Sequence, residues 1–203
     1  MDKNAMNNIA CGLFVLTAAD GDKQNGCIIN TVMQVTDTPL RISVAVNKGN
    51  FTTSIIEKTK RFNVSVIDES AEFSLFERFG FASGRDTDKF EGFSEVEKAE
   101  NGIYYIKKET NAYISAEVID AVDVGTHIMF VAEVTQAEIL SDIPSATYSY
   151  YHKNIKPKVK VEKGGKKKFV CKICGYVYEG DYLPDDFICP LCKHPASDFE
   201  EVK

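Results

Sequence analysis

Apolar and polar residues alternate through most of the first 150 positions, the two-residue period of strands with one buried face. The runs at 12–18 (GLFVLTA), 27–35 (CIINTVMQV) and 40–47 (LRISVAVN) are rich in β-branched side chains, with turn residues between them. Gly21, Asn25 and Gly26 predict a hairpin between the first two, and Pro39 stops the second from running into the third. The chain is therefore expected to open as an antiparallel meander. After Phe51 the spacing changes: TTSIIEKTKR, with a threonine as N-cap candidate and the pair Ile55 and Ile56, predicts a short helix before the strand FNVSVI. A second helix is expected from Ser70 to Phe79. There Phe73, Phe76 and Phe79 recur every three residues and form a face for the core. IYYI, AYISAEVIDA and HIMFVAEVTQAEI then return to the strand period. Many strands with about two helices make this part mainly β, an antiparallel barrel with peripheral helices.

The pattern fails between 155 and 168, where IKPKVKVEKGGKKK has no apolar face at either period and Gly164-Gly165 provides a flexible point. Residues 153–168 are expected to be a linker between a domain at 1–152 and a small module at 169–203. As a flexible coil it would separate its ends by about 20 Å.

Charge sharpens this division. The chain of 203 residues carries a formal charge of −6, split as −9 over 1–152, +7 over 153–168 and −4 over 169–203. A single lysine run without interleaved aromatics does not make a nucleic-acid surface. The longest early apolar stretch, Ile9 to Ala19, is too short to span a bilayer, so neither signal peptide nor membrane anchor is expected.

Cysteine usage is asymmetric. Cys11 and Cys27 stand alone and are expected to be buried free thiols, whereas Cys171, Cys174, Cys189 and Cys192 form two C-x-x-C pairs with fourteen residues between them. Two such turns facing each other supply a tetrahedral thiolate site, and without a secretory signal they read as metal ligands in a reducing cytoplasm. Gly175 is expected at positive φ to close the first turn. The geometry admits zinc or iron alike.

The segment CKICGYVYEGDYLPDDFICPLCKHPASDFE resembles the rubredoxin family in its C-x-x-C-G-Y-x-Y start, its L-P-D-D segment, its C-P-x-C and its terminal Phe-Glu. The resemblance implies a mononuclear iron on Cys171, Cys174, Cys189 and Cys192, with Tyr176, Tyr178, Phe187 and Phe199 as a small aromatic core. The shortened middle, Phe187 in place of tryptophan and Lys193 in place of glycine are departures; the short form is similar to the rubredoxin ends of fusions such as rubrerythrin. The Glu-x-x-His pairs of a rubrerythrin di-iron bundle do not occur.

The first 152 residues resemble the flavin reductase-like family, an FMN-binding split β-barrel, through NGCIINTVMQVT, PLRISVAVNKGNFTTSII, FNVSVI, FGFASGRDTDKF and GTHIMFVAEV. This implies an isoalloxazine ring against Asn25, Cys27, Ile28, Asn30 and Thr31. It implies a phosphate on Asn47, Lys48, Asn50 and Thr52, ahead of a helix N-terminus that favours an anion. Ser83, Gly84, Arg85, Asp86 and Lys89 form a second polar turn that the resemblance places near the flavin. His127, in GTHIMF, and His152 are the candidates for seating a nicotinamide.

Together the modules resemble the high-molecular-weight rubredoxins of anaerobes. The resemblance implies that NAD(P)H reduces FMN, that the flavin reduces the iron, and that the iron serves a flavodiiron protein reducing oxygen or nitric oxide, within a homodimer. Two alternatives are a non-enzymatic FMN and iron carrier reduced by another protein, and a flavin-binding barrel with a zinc-ribbon recognition module.

Overall fold

The structure, a computed structural model, describes residues 3–157, 167–172, 175–189 and 194–202. Nine strands are assigned in the first module: β1 (Phe14–Asp20), β2 (Lys23–Ile29), β3 (Val32–Thr36), β4 (Arg41–Asn47), β5 (Arg61–Ile67), β6 (Val96–Lys98), β7 (Tyr104–Ile106), β8 (Thr110–Asp123) and β9 (His127–Ile139). Helix α1 (Phe51–Thr59) joins β4 to β5.

Seven of the strands form one antiparallel sheet in the order β2-β1-β5-β8-β9-β4-β3, and β6 and β7 pair separately. The order decides the architecture. β2 and β3 lie at opposite edges of the sheet, yet only Asn30 and Thr31 separate them in sequence. Three Cα steps reach about 10 Å, so the sheet must curl until its two edges almost meet. The result is a split barrel, open between β2 and β3. The expected meander is thus two hairpins, β1-β2 and β3-β4, whose shared link crosses the open seam.

The barrel interior holds Leu16, Val44, Val46, Ile56, Phe62, Val64, Phe130 and Ala132, all fully buried. They come from alternate positions of β1, β4, β5 and β9 and from the inner side of α1, as the strand period requires. A second cluster outside the barrel gathers Leu75, Phe76, Phe79, Ile106 and Tyr151, where the recurring phenylalanines close over Val15 and Ile67.

Two helix starts differ from expectation. The N-cap of α1 is Asn50, in extended conformation with no side-chain capping bond, and not a threonine. Thr52 and Thr53 lie inside the first turn, where the Thr53 hydroxyl donates to Asn47 O at 2.7 Å. The second helix begins at Phe73 and not Ser70, because the Asp68 carboxylate accepts from both Ser70 N (2.8 Å) and Ser70 Oγ (2.6 Å) and holds a turn there. The α-helical residues Phe73–Phe76 continue into a wider π-turn, Glu77–Phe81.

Helical turns lead from the barrel into the segment expected as linker. A π-turn at Tyr151–Ile155 follows the short helix Tyr148–Tyr150, and Ile155 packs against the second core cluster. Most of the expected linker, 158–166, lies outside the described residues. Beyond it β10 (Lys168–Cys171), β11 (Val177–Glu179) and β12 (Phe199–Val202) form a three-stranded sheet in the order β11-β10-β12. Among the described residues no helix is long and apolar enough to cross a membrane.

Candidate functional site

A cavity of about 480 Å³ opens where β2, the β4-α1 loop and residues 80–89 converge. Its walls include Asn25 and Cys27 from β2, Asn50 and Thr52 from the start of α1, and Ser83 and Lys89 from the long loop. Strand alternation puts Asn25 and Cys27 on one face of β2 while Ile28 turns the other way into the second core cluster. Asn25 is buried and donates its amide to Thr52 Oγ1 at 2.8 Å, fixing β2 against the helix start.

The third wall depends on a glycine. A Cβ on Gly84 would lie 1.9 Å from Asn25 Oδ1, so only glycine lets the loop close this tightly over β2. Arg85 adds a clasp across the mouth, donating to Gly49 O at 2.8 Å with its guanidinium 5.4 Å from the Phe51 ring centroid. Lys23 also lies over that ring, at 4.5 Å.

Lys89 is the least ordinary member of the site. It is only 5% exposed, and its ammonium donates to Gly26 O at 2.9 Å and Phe79 O at 3.0 Å. It therefore ties the loop to β2 and to the π-turn as well as lining the cavity. Burial pulls its pKa below the usual lysine range, partly offset by its neighbour Cys27. Burial pushes the Cys27 thiol up, against hydrogen bonds from Thr52 and Asn50 and the charge of Lys89. Cys27 is thus a buried neutral thiol in the cavity wall, while Cys11 is half-buried and not fully enclosed as expected.

The other anticipated residues scatter around this centre. Asn30 and Thr31 form the link across the open seam, with Thr31 exposed and donating to Ala45 O at 2.6 Å. Asn47 Oδ1 accepts from Gly49 N at 2.8 Å and so shapes the loop ahead of α1. Lys48 is ion-paired with Asp123 at 2.6 Å and does not line the cavity. His127 pairs with Asn47 across β9 and β4, its Nδ1 2.8 Å from the Thr126 hydroxyl. His152 lies elsewhere, in edge contact with the rings of Tyr148 and Tyr151. Sequence reasoning missed Gly49, Phe51, Gly80, Phe81, Ala82 and Thr87 as wall residues.

In the small module Cys171 and Cys189 are fully buried, clustered with Phe199 and enclosed by Phe169, Tyr176, Tyr178, Leu183 and Phe187. Phe187 sits at the centre of the aromatic shell, 4.7 Å from Tyr178 and 5.4 Å from Phe199. Gly175 has φ of 81° and donates to Cys171 O at 2.8 Å, closing the first turn as expected. Cys174 and Cys192 lie outside the described residues. Two dry cysteines inside an aromatic shell suit a thiolate-bound iron shielded from water.

The flavin reductase like domain model matches residues 6–158. The chain belongs to the flavin reductase-like family. A second match, to the rubredoxin-like domain of rubrerythrin, covers residues 169–200 of this flavin reductase-like chain. Over its whole length it is 36% identical to a high molecular weight rubredoxin of Moorella thermoacetica, all of which is covered. Over 75% of its length it is 36% identical to a ferric-chelate reductase (NAD(P)H) of Archaeoglobus fulgidus, 89% of which is covered. Among solved structures, a flavoredoxin of Methanosarcina acetivorans shares the fold with a TM-score of 0.58 at 24% identity, over 64% of this chain and 69% of that one. The flavin reductase-like module thus brings a flavin and the rubredoxin-like module one iron, in a chain that is an oxidoreductase.

The cavity fits the first cofactor. It offers amide and hydroxyl groups at Asn25, Asn50, Thr52 and Ser83 for the polar edge and phosphate of a flavin, and the ring of Phe51 beside them.

Proposed function

We propose that this chain passes electrons from NAD(P)H through FMN to its rubredoxin iron, and from there to a flavodiiron-type oxygen or nitric oxide reductase. The observation that carries this reading is the presence, in one chain, of the polar cavity around Asn25 and Thr52 and the buried cysteines 171 and 189. A bound flavin accepts a two-electron hydride and releases electrons singly, and a mononuclear iron carries one at a time.

The residues divide the work. Asn25, held by Thr52, and Asn50 hold the flavin through its polar atoms, and Gly84 allows the loop to close over it. Lys89, a buried cation at the cavity wall, favours added negative charge within it. Asn47 and His127 lie side by side on β4 and β9 and form the nicotinamide approach. The aromatic shell around Cys171 and Cys189 excludes water from the iron.

The chain functions in the cytoplasm as a homodimer. Supporting the dimer, Met33, Val35, Ile119, Val122 and Val124 are large apolar residues left exposed on the β8-β9-β4-β3 side of the sheet. Sedimentation analysis checks it: a species of twice the chain mass is expected, and Val122→Lys should shift it toward the single chain.

The deciding experiment is the visible spectrum of the flavin-reconstituted, iron-loaded chain under anaerobic conditions, before and after NADH and then NADPH. Flavin and ferric-thiolate bands should both bleach with one of the nucleotides. Bands indifferent to both would make the chain a carrier reduced by another protein, and a colourless thiolate site would make the small module a zinc ribbon. Addition of a flavodiiron protein with oxygen or nitric oxide should then restore the ferric band.

A further inference from the structure

One side chain belongs to both sites. Phe81 lines the flavin cavity between Gly80 and Ala82, and it also packs against the cluster of Cys171, Cys189 and Phe199. The local backbone explains how. Phe79 points into the second core cluster, and two residues further along a helical turn the side chain emerges on roughly the opposite side. The π-turn Glu77–Phe81 thus buries Phe79 and presents Phe81 outward, braced by the Phe73 ring at 5.9 Å.

A second contact holds the same region. The Lys156 ammonium donates to Lys172 O, 2.5 Å away, and Lys172 lies inside the first C-x-x-C turn. A Cβ on Gly175, at the end of that turn, would meet the Lys156 side chain at 3.4 Å and Pro157 O at 3.8 Å. Beside it runs a groove of about 600 Å³ lined by Tyr148, Ser149, His152 and Lys153 from the first module and Lys172 from the second. Aromatic packing on one side of the metal turn and a cation on its carbonyl on the other define a docked position.

We propose that the four-cysteine module docks on the flavin module of its own chain, with Phe81 as the shared wall between cavity and thiolate site and Lys156 as the latch on the metal turn. The proposal rests on the functional reading only in naming what the two sites hold. Docking shortens the path between them to a single ring, and the linker keeps the released module available for rebinding.

Amide spectra of the full-length ¹⁵N-labelled chain test it, with ferric iron compared with zinc. The paramagnetic ion should broaden the amides of residues 80–82 and 154–156 at least twofold relative to zinc, and leave the exposed residues 33–35 of β3 unchanged. Lys156→Glu, outside the cavity, should restore at least half of the lost intensity at 80–82. Full intensity at 80–82 in the ferric chain, or loss unaffected by Lys156→Glu, would overturn the proposal. So would equal broadening of a labelled zinc chain mixed with unlabelled iron chain, since docking would then be between molecules. A chain that accepts zinc and not iron would defeat the functional reading alone. Its zinc form still reports docking: Phe81→Ala should shift the amides of Lys172 and Gly175, and unmoved resonances there would overturn the proposal.

Discussion

The two modules are stabilised by different means. The first module has two large clusters of buried aliphatic and aromatic side chains, drawn from seven strands and from the helical segments at 51–59, 73–81 and 151–155. Among its described residues the small module buries three apolar side chains, of which two are cysteines. A chain segment this short cannot exclude enough apolar surface to offset its conformational entropy, and metal-ligand bonds take the place of a core. The barrel is a fold that holds a cofactor, whereas the small module is a fold made by one.

Metal removal gives the largest contrast. Structural thiolate sites contribute on the order of 10 kcal/mol, so Cys189→Ser or exhaustive chelation should unfold residues 167–202 while the barrel keeps its thermal midpoint. Amide spectra would resolve the two, and joint loss would show that the barrel depends on its neighbour.

The converse test is Lys89→Met. It leaves Gly26 O and Phe79 O without their buried donor and should cost the barrel about 3 kcal/mol, read by chemical denaturation, while the ferric-thiolate band persists. Gly84→Ala is a gentler intrusion. Its Cβ must displace the buried Asn25 from Thr52, and flavin affinity, measured by fluorescence quenching, should fall about tenfold while the barrel loses about 1–2 kcal/mol, less than for Lys89→Met.

The smallest effect concerns pH. Burial, followed by the charge of Lys156, holds His152 below the usual histidine range. The unfolded chain then takes up the proton first as pH falls, so His152 costs stability below about pH 6.5, with the full cost reached under the folded value. His152→Gln should flatten the fall of the thermal midpoint between pH 7 and 5, and an identical slope would show that other groups govern it.

Legibility in the sequence followed the range of the interactions. The strands β1, β4, β5, β8 and β9 appear where the apolar runs predict them, although β1 and β5 are buried at four consecutive positions because elements pack on both of their faces. β6 is three residues with one half-buried position, too short to show a period, and it was missed. The run 27–35 reads as one strand because Asn30 and Thr31 carry no strong turn signal, yet the chain breaks there to cross between the edges of the sheet. The aromatic face of 73, 76 and 79 and the shell around the cysteines were visible because each sits within one short segment. Gly49 and Phe81 were not, since a wall residue is defined by what stands opposite it.

The sequence by itself determined a β-rich module followed by a module of paired cysteines, the aromatic face at 73, 76 and 79 and the turn at Gly175, all properties of neighbours along the chain. Tertiary structure alone decided that β2 and β3 would end at opposite edges, that Lys89 would be buried on two carbonyls and not offered freely to an anion, and that Phe81 would face the cysteines. Those outcomes depend on contacts between residues far apart in sequence, which composition and local periodicity do not encode.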